Sequence, residues 1–194
     1  MNYPLQLTFK IIALAPQLRV ADAAGNQIAY VKQKMFKLKE HVEVFADDSK
    51  AHKFCDIRTD KIIDWSACYR FSDAQGKDFG AVRRKGGRSL WRAHYEILDG
   101  DRHLYTIREE NGWIKVADSL LGGIPILGSA TGYFLNPSYL ISTPDGSPIL
   151  RVKKQPAMWE GKFTIEQLSD VPEQDEVRCL MSIIMMTLLE RQRG

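Results

Sequence analysis

The stretch Cys179-Leu-Met-Ser-Ile-Ile-Met-Met-Thr-Leu-Leu189 decides the fold. Apolar side chains cover almost the whole circumference of the helix that this stretch would form, and such a helix is buried on all sides. Acidic residues precede the stretch and Arg191 follows it, as expected for a helix over about 173–192. A membrane-spanning helix needs about 20 apolar residues. Because this stretch is shorter and contains Ser182 and Thr187, we predict no transmembrane span.

The remainder of the chain has the pattern of β-strands. From Trp91 to Ile97 apolar and polar residues alternate, which is the period of a half-buried strand, and 42–47 behaves in the same way. We predict strands at 5–14, 18–21, 42–47, 51–58, 66–72, 91–97, 112–118, 133–135, 139–142 and 162–168. Short strands with turns about every 10 residues indicate a sandwich or a barrel.

A turn motif recurs along the chain. In three segments, apolar residues lie three and six positions after a turn glycine and a basic residue lies at position seven. The glycines are Gly25, Gly76 and Gly146, the basic residues are Lys32, Arg83 and Lys153, and Gly100 with Arg108 fits after one inserted residue. Each segment has the composition of a hairpin, in which Asp and Gly form the turn and a strand follows. Coincidence is the alternative, but recurrence of the basic residue favours a true repeat.

A helix buried on all sides and a series of short strands fit one architecture, which is a closed antiparallel barrel filled by the helix. Closure also removes the exposed edges that short strands otherwise present. The length of 194 residues, with 44% apolar and 26% charged residues, suits one globular domain. We therefore predict a mainly β single domain over 1–194, with the barrel at about 4–170 and the helix at its centre.

Five stretches outside the helix carry a family resemblance. They are Tyr30-Val-Lys-Gln-Lys-Met-Phe-Lys-Leu-Lys39, Val42-Glu-Val-Phe45, Ile62-Ile-Asp64, Gly80-Ala-Val-Arg-Arg-Lys85 and Arg88-Ser-Leu-Trp-Arg92. With the apolar C-terminal helix they resemble the LURP-one-related family of the tubby C-terminal-like superfamily over nearly the whole chain. The resemblance implies a barrel of about twelve strands around a hydrophobic helix. Tubby-type relatives bind phosphoinositides and phospholipid scramblases share the fold, but the resemblance carries no binding site over to positions of this chain.

Motifs for catalysis or for metal binding are missing from the sequence. Gly123-Ile-Pro-Ile-Leu-Gly128 has the glycine spacing of a phosphate loop, but Ser129 stands where that loop requires lysine. The histidines His41, His52, His94 and His103 have no second ligand at metal-like spacing, and His94 is expected to be exposed on the polar face of its strand. We therefore predict no cofactor, no metal and no enzymatic activity, and an enzyme of unknown class ranks third among the functions.

The net charge limits the classes of binding partner, and the cysteine content indicates the cellular compartment. Lys plus Arg number 27 against 24 Asp plus Glu, so the net charge of +3 gives no general affinity for nucleic acid. The odd set Cys55, Cys68 and Cys179 has no paired spacing, which indicates a reducing compartment. The N-terminus lacks a basic start before an apolar run. We expect a cytoplasmic protein, at most peripheral to a membrane.

Two basic clusters are the candidate binding residues. They are Lys32, Lys34, Lys37 and Lys39 in the first, and Arg83, Arg84, Lys85 and Arg88 around Gly86-Gly87 in the second; a third set is Arg151, Lys153 and Lys154. A glycine turn presents backbone N–H groups to a phosphate while arginine side chains clamp it with paired hydrogen bonds. The alternative is that these residues are solvent-facing charges that keep a sheet surface soluble.

The leading hypothesis is a non-enzymatic cytoplasmic module. It would bind an anionic lipid or phosphorylated ligand, such as a phospholipid headgroup, or a protein partner. The alternative is a scramblase-like protein that acts on lipids by inserting its C-terminal helix into a membrane. The sequence predicts neither the identity of the ligand or partner nor the oligomeric state.

Overall fold

The computed structural model describes residues 1–12, 15–32, 41–59, 67–85, 94–110, 137–156 and 160–191. These residues form β1 (Leu5–Ile12), β2 (Ala15–Ala21), β3 (Gln27–Lys32), β4 (His41–Phe45), β5 (Lys53–Thr59), β6 (Cys68–Ser72), β7 (Asp78–Arg84), β8 (His94–Asp99), β9 (Arg102–Glu109), β10 (Ser138–Ser142), β11 (Pro148–Gln155), β12 (Glu160–Gln167) and α1 (Glu173–Arg191). The predicted strands at 112–118 and 133–135, and the first part of the one at 91–97, lie outside the described residues.

The twelve strands form one closed antiparallel barrel, which confirms the predicted fold class. Each strand pairs with its neighbours in sequence, and β12 returns to pair with β1. Leu5 of β1 lies opposite Ile165 of β12, while Leu7 lies opposite Val20 of β2, and all four side chains are buried. Because β1 is paired on both sides, the closing strand leaves no exposed edge of its own.

The helix α1 fills the interior of the barrel. From Cys179 to Leu188 every residue is buried, as the apolar circumference predicts. The two hydroxyl groups within this stretch are satisfied inside the helix, since Ser182 donates to the carbonyl of Arg178 and Thr187 to that of Ile183, each at 2.8 Å. These two hydroxyl groups therefore need no partner from the barrel wall.

The hairpin turns share one end of the barrel. The turns after β2, β4, β6, β8 and β10 lie where α1 begins, and we call this the turn end; β3 and β7 finish at the opposite end, the far end. The turn glycines Gly25, Gly76 and Gly146 have φ of +85°, +82° and +93°. Asp22 Oδ1 accepts two backbone N–H groups at 2.9 and 2.8 Å, and Asp73 Oδ1 accepts the equivalent pair at 3.0 and 2.8 Å. In the third turn Thr143 occupies the corresponding position.

The start of α1 is fixed by a buried ionic network at the turn end. Arg178 contacts Asp175 through one guanidinium nitrogen and Asp99 through the other, at 3.3 Å, and its Nε donates to the carbonyl of Phe79 at 2.5 Å. Tyr105 donates to the second oxygen of Asp175 at 2.8 Å. Burial first, and then the carboxylate of Asp175, raise the pKa of Tyr105, so its hydroxyl remains a donor.

Two local predictions differ from the structure. Phe45 belongs to the polar set of the alternating stretch at 42–47, yet it is buried, because the register shifts between Val44 and Phe45. Such a bulge interrupts the two-residue period of a strand. The alternation predicts an exposed His94, whereas the residue is half-buried on the outer face of β8.

Candidate anion-binding surface

Charge is distributed unevenly along the barrel axis. Among the described residues, acidic side chains predominate at the turn end: Asp22, Asp47, Asp48, Asp73, Asp78, Asp99, Asp101, Asp145, Asp170, Glu173, Asp175 and Glu176, against Lys50, Lys53, Lys77, Arg102 and Arg178. Basic side chains predominate at the far end: Lys10, Lys32, Arg58, Arg70, Arg83, Arg84, Lys85, Arg108, Lys153, Lys154 and Lys162, against Glu96, Glu109, Glu110 and Glu190. The net charge of +3 therefore conceals two ends of opposite sign.

Arg83 and Lys85 lie together on the outer face of the far end. Both contact the carboxylate of Glu96 on β8, at 2.8 Å from Arg83 and 3.0 Å from Lys85. Burial opposes ionisation of Glu96, but its two cationic partners lower the pKa of its carboxyl below the ordinary value. An anionic ligand at this position would compete with Glu96 for the two cations.

Arg84 points the other way, into the mouth of the barrel. It pairs in register with Tyr95, lies over that ring at 5.8 Å from its centroid, and approaches Glu190 at 3.8 Å. Tyr95 donates to Glu190 at 2.5 Å. The strand alternation explains this placement, because Arg84 follows the buried Val82 by two residues. Arg83, Arg84 and Lys85 therefore do not converge on one ligand.

The remaining predicted residues divide between the described and undescribed parts of the chain. Lys32 ends β3 at the far end and is exposed. Lys34, Lys37, Lys39 and Arg88 lie outside the described residues. Within the third basic set, Arg151 contacts Glu110 at 3.3 Å and Lys153 contacts Glu166 at 2.9 Å. Those two cations are already paired with carboxylates.

The strand register brings together further basic residues that are not neighbours in the sequence. Arg58 of β5 lies directly opposite Arg70 of β6, and His94 of β8 lies directly opposite Arg108 of β9. We define the basic arc as Arg58, Arg70, Arg83, Lys85, His94 and Arg108, which occupy the outer far ends of β5 to β9. Five strands at about 4.8 Å spacing make this arc roughly 19 Å wide.

The pKa of His94 is lowered first by burial and then by the positive charge of the basic arc. Burial and the neighbouring charge of Arg108 lower the pKa of His94, and Lys85 acts in the same direction, whereas Glu96 opposes them.

Two like charges directly opposite on adjacent strands repel each other. Arg58 and Arg70 stand in this relation across β5 and β6, and a bound anion would reduce their mutual repulsion.

A second group of chemically active side chains lies beside the arc. His41, Glu43 and Asp56 offer one imidazole nitrogen and two carboxylate oxygens within 4.8 Å of one another. Sequence spacing does not reveal this group, because Asp56 comes from a different strand.

Among the described residues no helix is both long and apolar enough to cross a membrane.

Comparison with known proteins gives one match. A family model described as LURP-one-related matches residues 27–166, which include β3 to β11 and most of β12. No curated protein and no solved structure matches the chain.

Proposed function

Because the chain belongs to the LURP-one-related family, a tubby-like family that is not a known enzyme family, we propose that it is a non-enzymatic cytoplasmic module that binds an anionic ligand. The ligand is a phosphate-bearing group such as a phospholipid headgroup, and it binds at the far end of the barrel. The separation of charge along the barrel axis is the observation that carries this proposal.

The basic arc supplies suitable chemistry for a phosphate. Arg58, Arg70 and Arg108 are exposed on the outer face of the barrel, where a ligand in solution can reach their side chains. Guanidinium groups bind phosphate oxygens with two parallel hydrogen bonds, which gives both affinity and orientation. The acidic turn end would be repelled by an anionic surface, so the charge separation favours an approach with the far end first.

The scramblase-like alternative requires α1 to enter a membrane. In the structure the apolar residues of α1 are packed inside the barrel, with Ile184 and Met185 fully buried. Insertion would remove those side chains from the barrel and leave its interior unfilled. This arrangement favours the binding module over the inserting helix. A protein partner with an acidic surface is distinguished from a lipid by the experiment below.

Vesicle co-sedimentation tests the proposal. The full chain is mixed with vesicles of phosphatidylcholine alone or with an added anionic phospholipid, at low and at high salt. We expect binding to the anionic vesicles only, and a steep loss with salt, because screening at physiological ionic strength acts within about 8 Å. Competition by soluble glycerophosphate would show that the phosphate group itself is recognised. Absence of binding to anionic vesicles at low salt would refute a lipid headgroup as the ligand.

A pair of double variants locates the surface. Arg58→Ala with Arg108→Ala removes two cations from the basic arc and should reduce binding about tenfold or more, with little change in stability. Lys77→Ala with Arg102→Ala removes two exposed cations from the turn end and is the matched control. Equal losses in the two variants would mean that net charge, not the far end, determines binding.

A further inference from the structure

His41, Glu43 and Asp56 form a compact group on the outer face of β4 and β5. Glu43 lies directly opposite Asp56 in the strand register, and His41 precedes Glu43 by two residues, so all three side chains emerge on one face. The Nε2 atom of His41 lies 2.6 Å from Oδ1 of Asp56. The group therefore combines nitrogen and oxygen donors from two rigid strands rather than from loops.

A lysine already places positive charge between the two carboxylates. The Nζ atom of Lys53 lies 2.8 Å from Oδ2 of Asp56 and 3.9 Å from Oε1 of Glu43. The Asp56 side chain is only 9% exposed, and burial opposes its ionisation. Hydrogen bonds from Lys53 and His41 nevertheless lower the pKa of Asp56. An ammonium group thus already lies beside both carboxylates, so the position favours a cation.

We propose that His41, Glu43 and Asp56 bind one divalent transition-metal ion of the zinc class, which displaces the ammonium group of Lys53. Imidazole nitrogen and carboxylate oxygen both bind Zn²⁺ at about 2.0–2.2 Å. The three ligand atoms lie within 4.8 Å of one another, so side-chain rotations can place all three around one ion. Three protein ligands leave the fourth tetrahedral position to water or to an external group.

The donor set selects among cations. Ca²⁺ and Mg²⁺ prefer sites built from oxygen atoms, whereas an imidazole ligand favours Zn²⁺, Ni²⁺ and Cu²⁺. The nearby exposed cation Arg58, which pairs with His41 in the register, weakens the attraction for any cation. The expected affinity is therefore below that of a closed structural zinc site. This proposal does not depend on the binding of an anion at the far end.

Calorimetric titration of the full chain with ZnCl₂ in a non-chelating buffer tests the proposal. We expect one equivalent to bind, His41→Ala to weaken the affinity at least about tenfold, and Lys53→Met to strengthen it, because the metal no longer displaces an ammonium group. His52→Ala is the matched control, since His52 is an exposed histidine in the turn between β4 and β5. Titration with Co²⁺ in the same variants should give the absorption bands of a tetrahedral complex.

Two further variants test the identity of the ligands. Glu43→Gln changes a ligand whose side chain is 46% exposed, so it tests the site even if His41→Ala perturbs folding. Cys68→Ser tests whether the half-buried thiol on β6 is the true ligand. Zinc binding that persists unchanged in both His41→Ala and Glu43→Gln, or that disappears only in Cys68→Ser, would overturn the proposal. Absence of binding in both the parent protein and Lys53→Met would overturn it as well.

Discussion

The two ends of the barrel hold the helix in different ways. At the turn end, Arg178 has a side chain only 8% exposed and contacts three acceptors on two strands and on the helix itself. At the far end, Glu190 has a side chain 27% exposed, accepts one hydrogen bond from Tyr95 and lies 3.8 Å from Arg84. The first arrangement is the more desolvated one, whereas the second is partly open, with the Arg84 side chain 13% and the Glu190 side chain 27% exposed.

This difference separates stability from binding. A buried charge with several partners cannot be removed without leaving the partners unpaired, so the turn end tolerates little change. Exposed charges are screened and contribute little to stability, so the cations of the basic arc can exchange a protein partner for a ligand at little cost in stability. The turn end of the barrel therefore fixes the helix, whereas the charged residues of the far end can be substituted with little loss of stability.

The largest expected effect is at Arg178. Replacing it by Met removes the partner of Asp175 and Asp99 and should lower the free energy of unfolding by about 3–5 kcal/mol. The corresponding change at the far end, Arg84→Met, should cost about 1–2 kcal/mol, because Arg84 has one long contact with a partly exposed carboxylate. Urea denaturation of both variants measures the difference. Equal losses would show that the two ends stabilise the helix equally.

Gly80 tests how closely the turn-end network is packed. Its φ is +154°, and a Cβ atom would lie 3.0 Å from the carbonyl oxygen of Leu98 and 3.2 Å from Cγ of Arg178. Gly80→Ala should therefore cost about 2–3 kcal/mol through overpacking. The control is Gly76→Ala, where φ is +82° but no atom lies within 4 Å, with an expected cost of about 1 kcal/mol.

The coupling between Gly80→Ala and Arg178→Met sharpens this test. If the added methyl group acts by displacing Arg178, the double variant should lose less stability than the two single losses together. If the two losses of stability are strictly additive, the destabilisation by Gly80→Ala comes from the contact of the added methyl group with the Leu98 carbonyl instead.

Glu96→Gln is expected to lower the stability of the barrel moderately and to strengthen the binding of an anionic ligand. Because the folded-state pKa of Glu96 is lowered from about 4.5, its stabilising effect is complete above that value and is lost as the pH falls through the lowered pKa. The free energy of unfolding of the variant should be about 1 kcal/mol lower at neutral pH. It should also fall less steeply than that of the parent protein as the pH is lowered. The variant should also bind anionic vesicles more tightly, since Arg83 and Lys85 lose their shared carboxylate.

A matched variant identifies the source of any gain in binding. Glu166→Gln removes one negative charge near Lys153, outside the basic arc. If both glutamate variants bind vesicles equally well, the gain reflects net charge alone, and competition between Glu96 and the ligand is excluded.

The smallest expected effect is at Arg58. Arg58→Gln relieves the repulsion from Arg70 directly opposite and should stabilise the barrel by about 0.2–1 kcal/mol. Thermal unfolding at low salt measures the gain, which should shrink at high salt because the charges are screened. A loss of stability would indicate that Arg58 makes a favourable contact of its own.

The sequence predicts the architecture because its main signals are local. The apolar circumference of Cys179–Leu189 requires burial on all sides, and the recurrent turns at Gly25 and Gly76 specify hairpins whatever the rest of the chain does. The orientation of Arg84 could also have been predicted, because it shares a strand face with Val82. Phe45 could not, since a bulge shifts the alternation without a clear signal in the residues.

The site is harder to predict because it depends on which strands lie opposite each other. Arg58 and Arg70 are separated along the chain, and only the register of β5 against β6 brings them together. The same holds for Glu43 and Asp56 on β4 and β5. Register in a closed barrel is set by all strands jointly, so a search for neighbouring basic residues finds clusters along one strand and misses those across several.

The pairing of β1 with β12 has a consequence for the kinetics of folding. This pair joins strands from the two extremes of the barrel sequence, and α1 follows β12, so neither closure nor filling of the interior can precede synthesis of almost the whole domain. Topologies dominated by such distant contacts fold in milliseconds to seconds. Until closure, β1 and β12 both present unpaired edges and the interior lacks its helix. A nascent or shortened chain is therefore the form most exposed to aggregation and most dependent on chaperones.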